Sequence, residues 1–277
     1  MDYVKPADVA ALMVDTGRRK LALSPSNLLI RGALAGSILG AATSLAFTGT
    51  LQTGVPLVGA LIFPVGLCII VLLGLDLVTG SFGLLPLPWI ESDGDARTML
   101  ANWTYVFIGN LIGSMAYGAL LAIALTNFGA TPPAGVASQI ISIAQAKTTG
   151  YEALGFAGLV TVFVKAMLCN WMVCLAIVVS MTSASTVGKI AAAWMPMLIF
   201  FGQGFEHSVV NMFVIPTGML LGAKVTVAEW WLWNQIPVTL GNLVGGAIFT
   251  GLALYITHKP HTAAPAPLTV PTQVPAE

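Results

Sequence analysis

The sequence predicts an all-α integral membrane protein. Six transmembrane helices are expected, as two inverted three-helix repeats with the second and fifth spans broken. Three observations carry that expectation: a composition too apolar for a soluble domain, six long apolar runs, and short motifs shared by the two halves of the chain.

Of the 277 residues, 57% are hydrophobic and 8% are charged, against about 25% charged in an average soluble domain. Such a chain lacks the charge to cover a water-facing surface, which excludes an ordinary soluble enzyme. Lys plus Arg is 11 and Asp plus Glu is 11. With no basic excess, nucleic acid is not an expected partner, and the hydrophobicity excludes disorder over most of the length. The expected surroundings are a lipid bilayer. Cys68, Cys169 and Cys174 lie in apolar runs, without a CxxC or a His at ligand spacing. They read as packing residues, so neither a bound metal nor a disulfide framework is expected.

Crossing the hydrocarbon takes about 20 apolar residues. The runs cover residues 28–48, 55–89, 99–125, 156–181, 190–221 and 231–257. The second contains Gly74, Gly80, Gly83, Pro86 and Pro88, and the fifth contains Pro196, Gly202, Gly204, Pro216 and Gly218. Breakers at this density predict irregular backbone at mid-membrane depth, which is tolerated only where it is buried in protein or lines an aqueous cavity.

Residues 1–27 form an N-terminal segment in which Val9, Leu12 and Met13 recur at helical spacing after Pro6. This predicts a short amphipathic helix at the membrane surface. The segment has no apolar core of the signal-peptide kind. Residues 28–257 form the membrane domain, with repeats at about 28–126 and 156–257. Residues 258–277, rich in Pro, Ala and Thr, are expected to be a disordered cytoplasmic tail. With the N-terminus inside, Lys5, Arg18, Arg19, Lys20, Arg31, Arg97, Lys189 and Lys259 are cytoplasmic, and Lys147 and Lys224 are outside. That asymmetry obeys the positive-inside rule and puts both termini in the cytoplasm.

Gly109-Asn110-Leu111-Ile112-Gly113 in the third run matches Gly241-Asn242-Leu243-Val244-Gly245 in the sixth. Gly74-Leu75-Asp76 in the second matches Gly204-Phe205-Glu206 in the fifth, and Arg31 and Lys165 hold comparable places in the first and fourth. Three spans per half make the repeats inverted, with a substrate site expected at their interface near the midplane. Gly32, Gly36 and Gly40, Gly109 and Gly113, and Gly241 and Gly245 have the spacing that allows close helix packing.

Polar residues within spans are expensive and each needs a reason. His207 follows Glu206 at the fifth-span break, where an imidazole can exchange a hydrogen bond or a proton or simply bond a backbone carbonyl. Thr79 lies at the second-span break, where its hydroxyl either faces His207 or satisfies backbone freed by the break. Asp76 and Glu206 are expected to cap half-helix N-termini or bond loop amides. Asn170 and Asn242 either donate to a pore anion or join helices. Lys165 either snorkels or lines a vestibule. Lys147, in the loop before the fourth run, either attracts anions or is an ordinary solvated lysine.

There is no HExxH and no GxxxxGK, so zinc proteolysis and ATP drive are unsupported, and no cofactor is expected. Ser208 beside His207 faintly resembles a serine hydrolase pair, but adjacent residues on one helix point about 100° apart. There is no Asn-Pro-Ala of the aquaporin kind.

The stretch Ala166-Met167-Leu168-Cys169-Asn170-Trp171-Met172-Val173-Cys174-Leu175-Ala176 resembles a signature of the formate/nitrite transporter family. So do Gly204-Phe205-Glu206-His207-Ser208-Val209-Val210-Asn211-Met212-Phe213, Ile236-Pro237-Val238-Thr239-Leu240-Gly241-Asn242 and Gly74-Leu75-Asp76-Leu77-Val78-Thr79-Gly80. The resemblance runs from about Pro6 to Tyr255. It implies an aquaporin-like fold and a homopentamer with one pore per protomer for small monovalent anions of weak acids, formate or nitrite. It also implies His207 as the central pore histidine with Thr79 as its partner, Asn170 and Asn242 beside the pore, and Lys147 in the outer vestibule. Leu77 and Phe200 resemble the family's inner constriction, and Phe63 and Leu67 its outer one. Asp76, Glu206 and Asn211 then have structural roles at the helix breaks. A bacterial cytoplasmic membrane is the implied location. Hydrosulfide, short-chain carboxylates and neutral solutes are the alternative cargoes.

In such a pore a dry constriction charges an anion several kcal/mol of desolvation, partly offset by basic vestibules and half-helix dipoles. His207 either relays the proton that neutralises the anion, or stays neutral and only donates a hydrogen bond.

Overall fold

The computed structural model of the chain describes residues 2–92 and 94–259, all helices and connections apart from one isolated β-bridge between Tyr3 and Ser183. The tail expected from 258 lies outside the described residues from 260 onward.

Among the described residues four helices are long and apolar enough to cross a membrane: α2 (Pro25–Thr53), α7 (Ala96–Thr126), α10 (Phe156–Ser180) and a final stretch over Val227–His258. The final stretch is built of α13 (Val227–Trp230), a π-helical segment Trp231–Gln235, α14 (Ile236–Val244), a second π segment Gly245–Leu252 and α15 (Ala253–His258). The second and fifth runs are broken, as the density of Gly and Pro requires. The second gives α3 (Pro56–Ile62), α4 (Val65–Leu72), α5 (Val78–Leu84) and α6 (Pro86–Ile90). The fifth gives α11 (Thr186–Gly202) and α12 (Ser208–Leu220).

Both breaks use one device. Gly74 (φ +63°) follows α4 and Gly204 (φ +64°) follows α11. Each glycine donates three residues back, to Val71 and Phe201, and the next residue donates five back, Leu75 to Ile70 and Phe205 to Phe200. This is the Schellman ending, which needs a left-handed residue that glycine supplies without steric cost. After three further non-helical residues the chain restarts as α5 or α12, so two half-helix N-termini face the middle of the molecule.

The repeated glycines sit where backbones touch. A methyl group on Gly113 would lie 1.8 Å from the Ala33 carbonyl oxygen, and one on Gly245 would lie 2.1 Å from the Met167 carbonyl oxygen. At these glycines α2 and α7, and α10 and the final stretch, approach backbone to backbone.

The N-terminal helix α1 (Pro6–Leu21) forms as expected, with Pro6 in its first turn and Arg18, Arg19 and Lys20 in its last, matching the helix dipole. Much of its apolar face packs on protein. Val9, Met13 and Val14 are buried against Leu84, Leu87, Val178 and Tyr255. Ahead of it, the Val4 N–H donates to the Thr182 carbonyl at 2.8 Å, and the Asp2 carboxylate accepts from the Ala184 and Ser185 amides at 2.7 and 2.6 Å. The connection before the fourth run also differs from a plain loop. It contains α8 (Val136–Ala146) and α9 (Thr149–Glu152), with Ala137, Ile140 and Ala144 of α8 buried.

Candidate functional site

The two restarted helices are held by one asparagine each. Asn110 on α7 accepts from the Val78 amide at 2.9 Å and donates to the Gly32 and Asp76 carbonyls, both at 2.9 Å. Asn242 on α14 accepts from the Ser208 amide at 2.8 Å and donates to the Ala166 and Glu206 carbonyls at 2.8 and 2.9 Å. Of the two roles open for Asn242, its contacts are those of joining: backbone groups take both its amide ends. Asn170 also bonds between helices, donating to the Thr79 carbonyl at 3.0 Å and the Asn242 carbonyl at 2.6 Å.

Where the half-helices meet, Thr79 Oγ1 lies 3.1 Å from His207 Nε2. Both residues are buried, 0% and 2% exposed. The ring also serves as the N-cap of α12: His207 Nδ1 accepts from the Val210 amide at 3.2 Å. That bond occupies the Nδ1 lone pair, so the ring in this geometry carries its proton on Nε2 and donates it to Thr79 Oγ1. The threonine hydroxyl proton is then free for another acceptor.

Aromatic rings close one side of this contact. Phe200 stacks on the imidazole with centroids 5.8 Å apart, Phe63 meets Phe200 edge-on at 5.4 Å, and Phe201 stacks on Phe63 at 4.0 Å. Two cavities of about 670 Å³ each lie on either side. The α1-side cavity is lined by Arg19, Lys20, Arg31, Lys189 and Asp76, and reaches Leu67 and Leu77. The α8-side cavity is lined by Lys147, Lys165 and Glu206, and reaches Phe200, Phe201 and His207. Cations outnumber carboxylates in both linings, which raises the local concentration of anions.

These placements sort the four expected constriction residues differently. The resemblance pairs Leu77 with Phe200 and Phe63 with Leu67. In the structure Leu67 and Leu77 share the α1-side cavity, whereas Phe200 lines the opposite one and contacts Phe63.

Asp76 and Glu206 do not cap the half-helices; Leu77 and His207 hold the N-cap positions. The carboxylates instead face lysines that reach in from outside the broken helices. Asp76 pairs with Lys20 of α1, and Glu206 pairs with Lys147, just after α8, at 2.7 Å. Glu206 further accepts from the Tyr151 hydroxyl at 2.9 Å and the Asn211 amide at 2.8 Å, and Asn234 donates to the Lys147 carbonyl at 2.9 Å. Lys165 lies over the Tyr151 ring, 5.8 Å from its centroid. Asn110, Lys20, Tyr151 and Asn234 were not singled out from the sequence as site residues. Asn110 was within reach, since it occupies the position of Asn242 in the repeated Gly-Asn motif.

Ser208 does not pair with His207. Its hydroxyl bonds Thr239 at 2.8 Å and Gln235 at 2.7 Å, so the nucleophile–base contact that a serine hydrolase needs is missing among the described residues.

A family described as formate/nitrite transporter matches residues 7–256. A probable formate transporter of Methanothermobacter thermautotrophicus is 34% identical, covering 92% of this chain and 97% of its own. The formate channel FocA of Escherichia coli strain K12 is 28% identical, covering 93% and 95%. Among solved structures, an FNT family ion channel superposes with a TM-score of 0.78 at 30% identity, over 90% of this chain and 98% of that one. A pentameric formate channel with formate bound superposes at 0.67 and 25% identity, over 84% and 97%. With its broken-helix membrane fold and a match over nearly its whole length, the chain belongs to the formate/nitrite transporter family of membrane channels.

Proposed function

We propose that the chain conducts formate, or a monovalent weak-acid anion of similar size such as nitrite, through a pore whose waist is the His207–Thr79 contact. The observation that carries this reading is the 3.1 Å contact itself, a buried polar pair between two cation-lined cavities. An anion leaving either vestibule loses several kcal/mol of hydration in the aromatic slit. The Thr79 hydroxyl proton offers one hydrogen bond at that point, and the N-termini of α5 and α12 face the same level with their positive dipole ends. Because the Val210 amide occupies Nδ1, a second ring proton has to displace a backbone bond. The geometry thus favours a neutral imidazole that donates through Thr79 over one that is charged between cycles.

The loop charges support an N-terminus in the cytoplasm, with the α1-side cavity inside and the α8-side cavity outside, in the cytoplasmic membrane of a bacterium. A homopentamer is supported by the pentameric formate channel that superposes on the chain. Exposed Leu34, Leu100, Ile112, Leu120 and Leu232 supply apolar surface for lipid and neighbouring protomers. The test is uptake of labelled formate, nitrite, acetate, lactate and hydrosulfide into proteoliposomes at two pH values. Formate or nitrite flux well above empty liposomes supports the reading, and no flux of either above empty liposomes from assembled protein overturns it.

A further inference from the structure

We propose that Cys174 is a positioning residue for the pore: its thiol and the Asn170 amide together hold the Thr79 carbonyl, and so set where the Thr79 hydroxyl meets the His207 ring. The inference rests on the pore reading given above and extends it to a residue outside the waist. Cys174 Sγ lies 3.2 Å from the Thr79 carbonyl oxygen, and Asn170 Nδ2 lies 3.0 Å from the same atom. The two side chains are four residues apart on α10 and share one face of it. Thr79 stands in the first turn of α5, directly after the break, so no continuous helix fixes its position. Asn110 holds the strand-like residues before it, and Asn170 with Cys174 holds it from the other side.

The arrangement is absent from the other repeat. Taking Arg31 and Lys165 as equivalent, the positions of Asn170 and Cys174 fall on Gly36 and Gly40 of α2, which carry no side-chain donor. The start of α12 has the His207 imidazole as its cap instead. By that equivalence α2 offers the start of α12 no counterpart of the Asn170–Cys174 pair. Space around the thiol is also made to measure. A methyl group on Gly83 or on Gly246 would lie 2.8 Å from Cys174 Sγ, and one on Gly246 would lie 2.6 Å from Asn170 Nδ2. Cysteine meets this demand with the bulk of a small apolar side chain and one weak donor. Alanine keeps the apolar character without the donor, and serine keeps a donor.

The experiment is a double-mutant cycle on the full chain, read as formate uptake per assembled protein in proteoliposomes. Cys174→Ala should lower uptake about two- to ten-fold, the range for one lost hydrogen bond, and Cys174→Ser should stay within about two-fold of wild type. In a Thr79→Val background Cys174→Ala should have no further effect, because the hydroxyl it positions is gone. Equal losses in both backgrounds, or no loss in either, would overturn the positioning role while leaving the pore reading intact. Uptake unchanged by Thr79→Val alone would overturn the pore reading and this inference with it. A measurement independent of the assembly of Cys174→Ala is the infrared difference between wild type and Cys174→Ser. A hydrogen-bonded S–H stretch supports the proposal, and a free-thiol stretch contradicts it.

Discussion

Asn110 and Asn242 make the same three hydrogen bonds, each holding together the break in its own repeat: one amide of the restarted helix, one carbonyl of the turn before it, and one carbonyl of the neighbouring long helix. Both are fully buried. Replacing either by alanine leaves an amide and two carbonyls without these partners in an apolar interior. Asn110→Ala and Asn242→Ala are each expected to lose about 4 kcal/mol of stability, seen as lowered thermal unfolding of the purified protein. Losses below about 0.5 kcal/mol in either variant would show that the break is held by something else.

Phe200 sits between the imidazole and Phe63. On the proposed pore reading Phe200→Ala widens the aromatic slit, so an anion keeps more of its hydration there. Formate flux should rise, and the preference for formate over acetate should fall by about ten-fold. Competition uptake of the two labelled anions measures it, and an unchanged ratio would remove Phe200 from the selectivity step.

Glu91, in the turn between α6 and α7, ties three segments together. It accepts from Arg18 of α1 at 2.9 Å and from the Tyr255 hydroxyl of α15 at 2.8 Å, and Lys259 lies 3.4 Å away. The Tyr255 hydrogen bond, opposed by partial burial and aided by Lys259 and Arg18, holds its carboxyl below the ordinary value of 4.5. A depressed folded-state value means that the stabilisation is fully present above 4.5 and is lost as pH falls through the lower folded value. Amide exchange in α1, corrected for intrinsic rates, should therefore accelerate on acidification below that point, and Glu91→Gln should show the faster exchange already at neutral pH. Equal protection of α1 in wild type and Glu91→Gln at neutral pH would contradict this.

The fold was legible because its determinants are local. Apolar runs set the spans, and Gly74 and Gly204 stand at the two breaks because a left-handed residue is needed there. His207 and Thr79 were legible as polar residues at those breaks, and the structure brings them together. What escaped depends on depth and on tertiary reach. Spacing does not report which cavity a side chain enters, so nothing in the sequence sets Phe200 beside Phe63 rather than with Leu77. Lys20 counts as a loop charge in sequence, yet α1 folds back and delivers it to Asp76. The helix α8 is 11 residues long, too short to announce itself as a span, but it is followed by the lysine that meets Glu206. Tyr151 and Asn234 join that pair from distant parts of the chain, and no motif links them.

The central claim is that the imidazole at the meeting point of the two half-helices forms the waist of the anion path. It is tested most directly by formate uptake into proteoliposomes containing wild-type protein or His207→Phe at equal assembled density. Phenylalanine keeps a ring of similar breadth but removes the Nε2 donor to Thr79 and the Nδ1 acceptor of the Val210 amide. The account predicts that His207→Phe loses at least about ten-fold of the formate flux, with and without a pH gradient. Wild-type flux in assembled His207→Phe would contradict it.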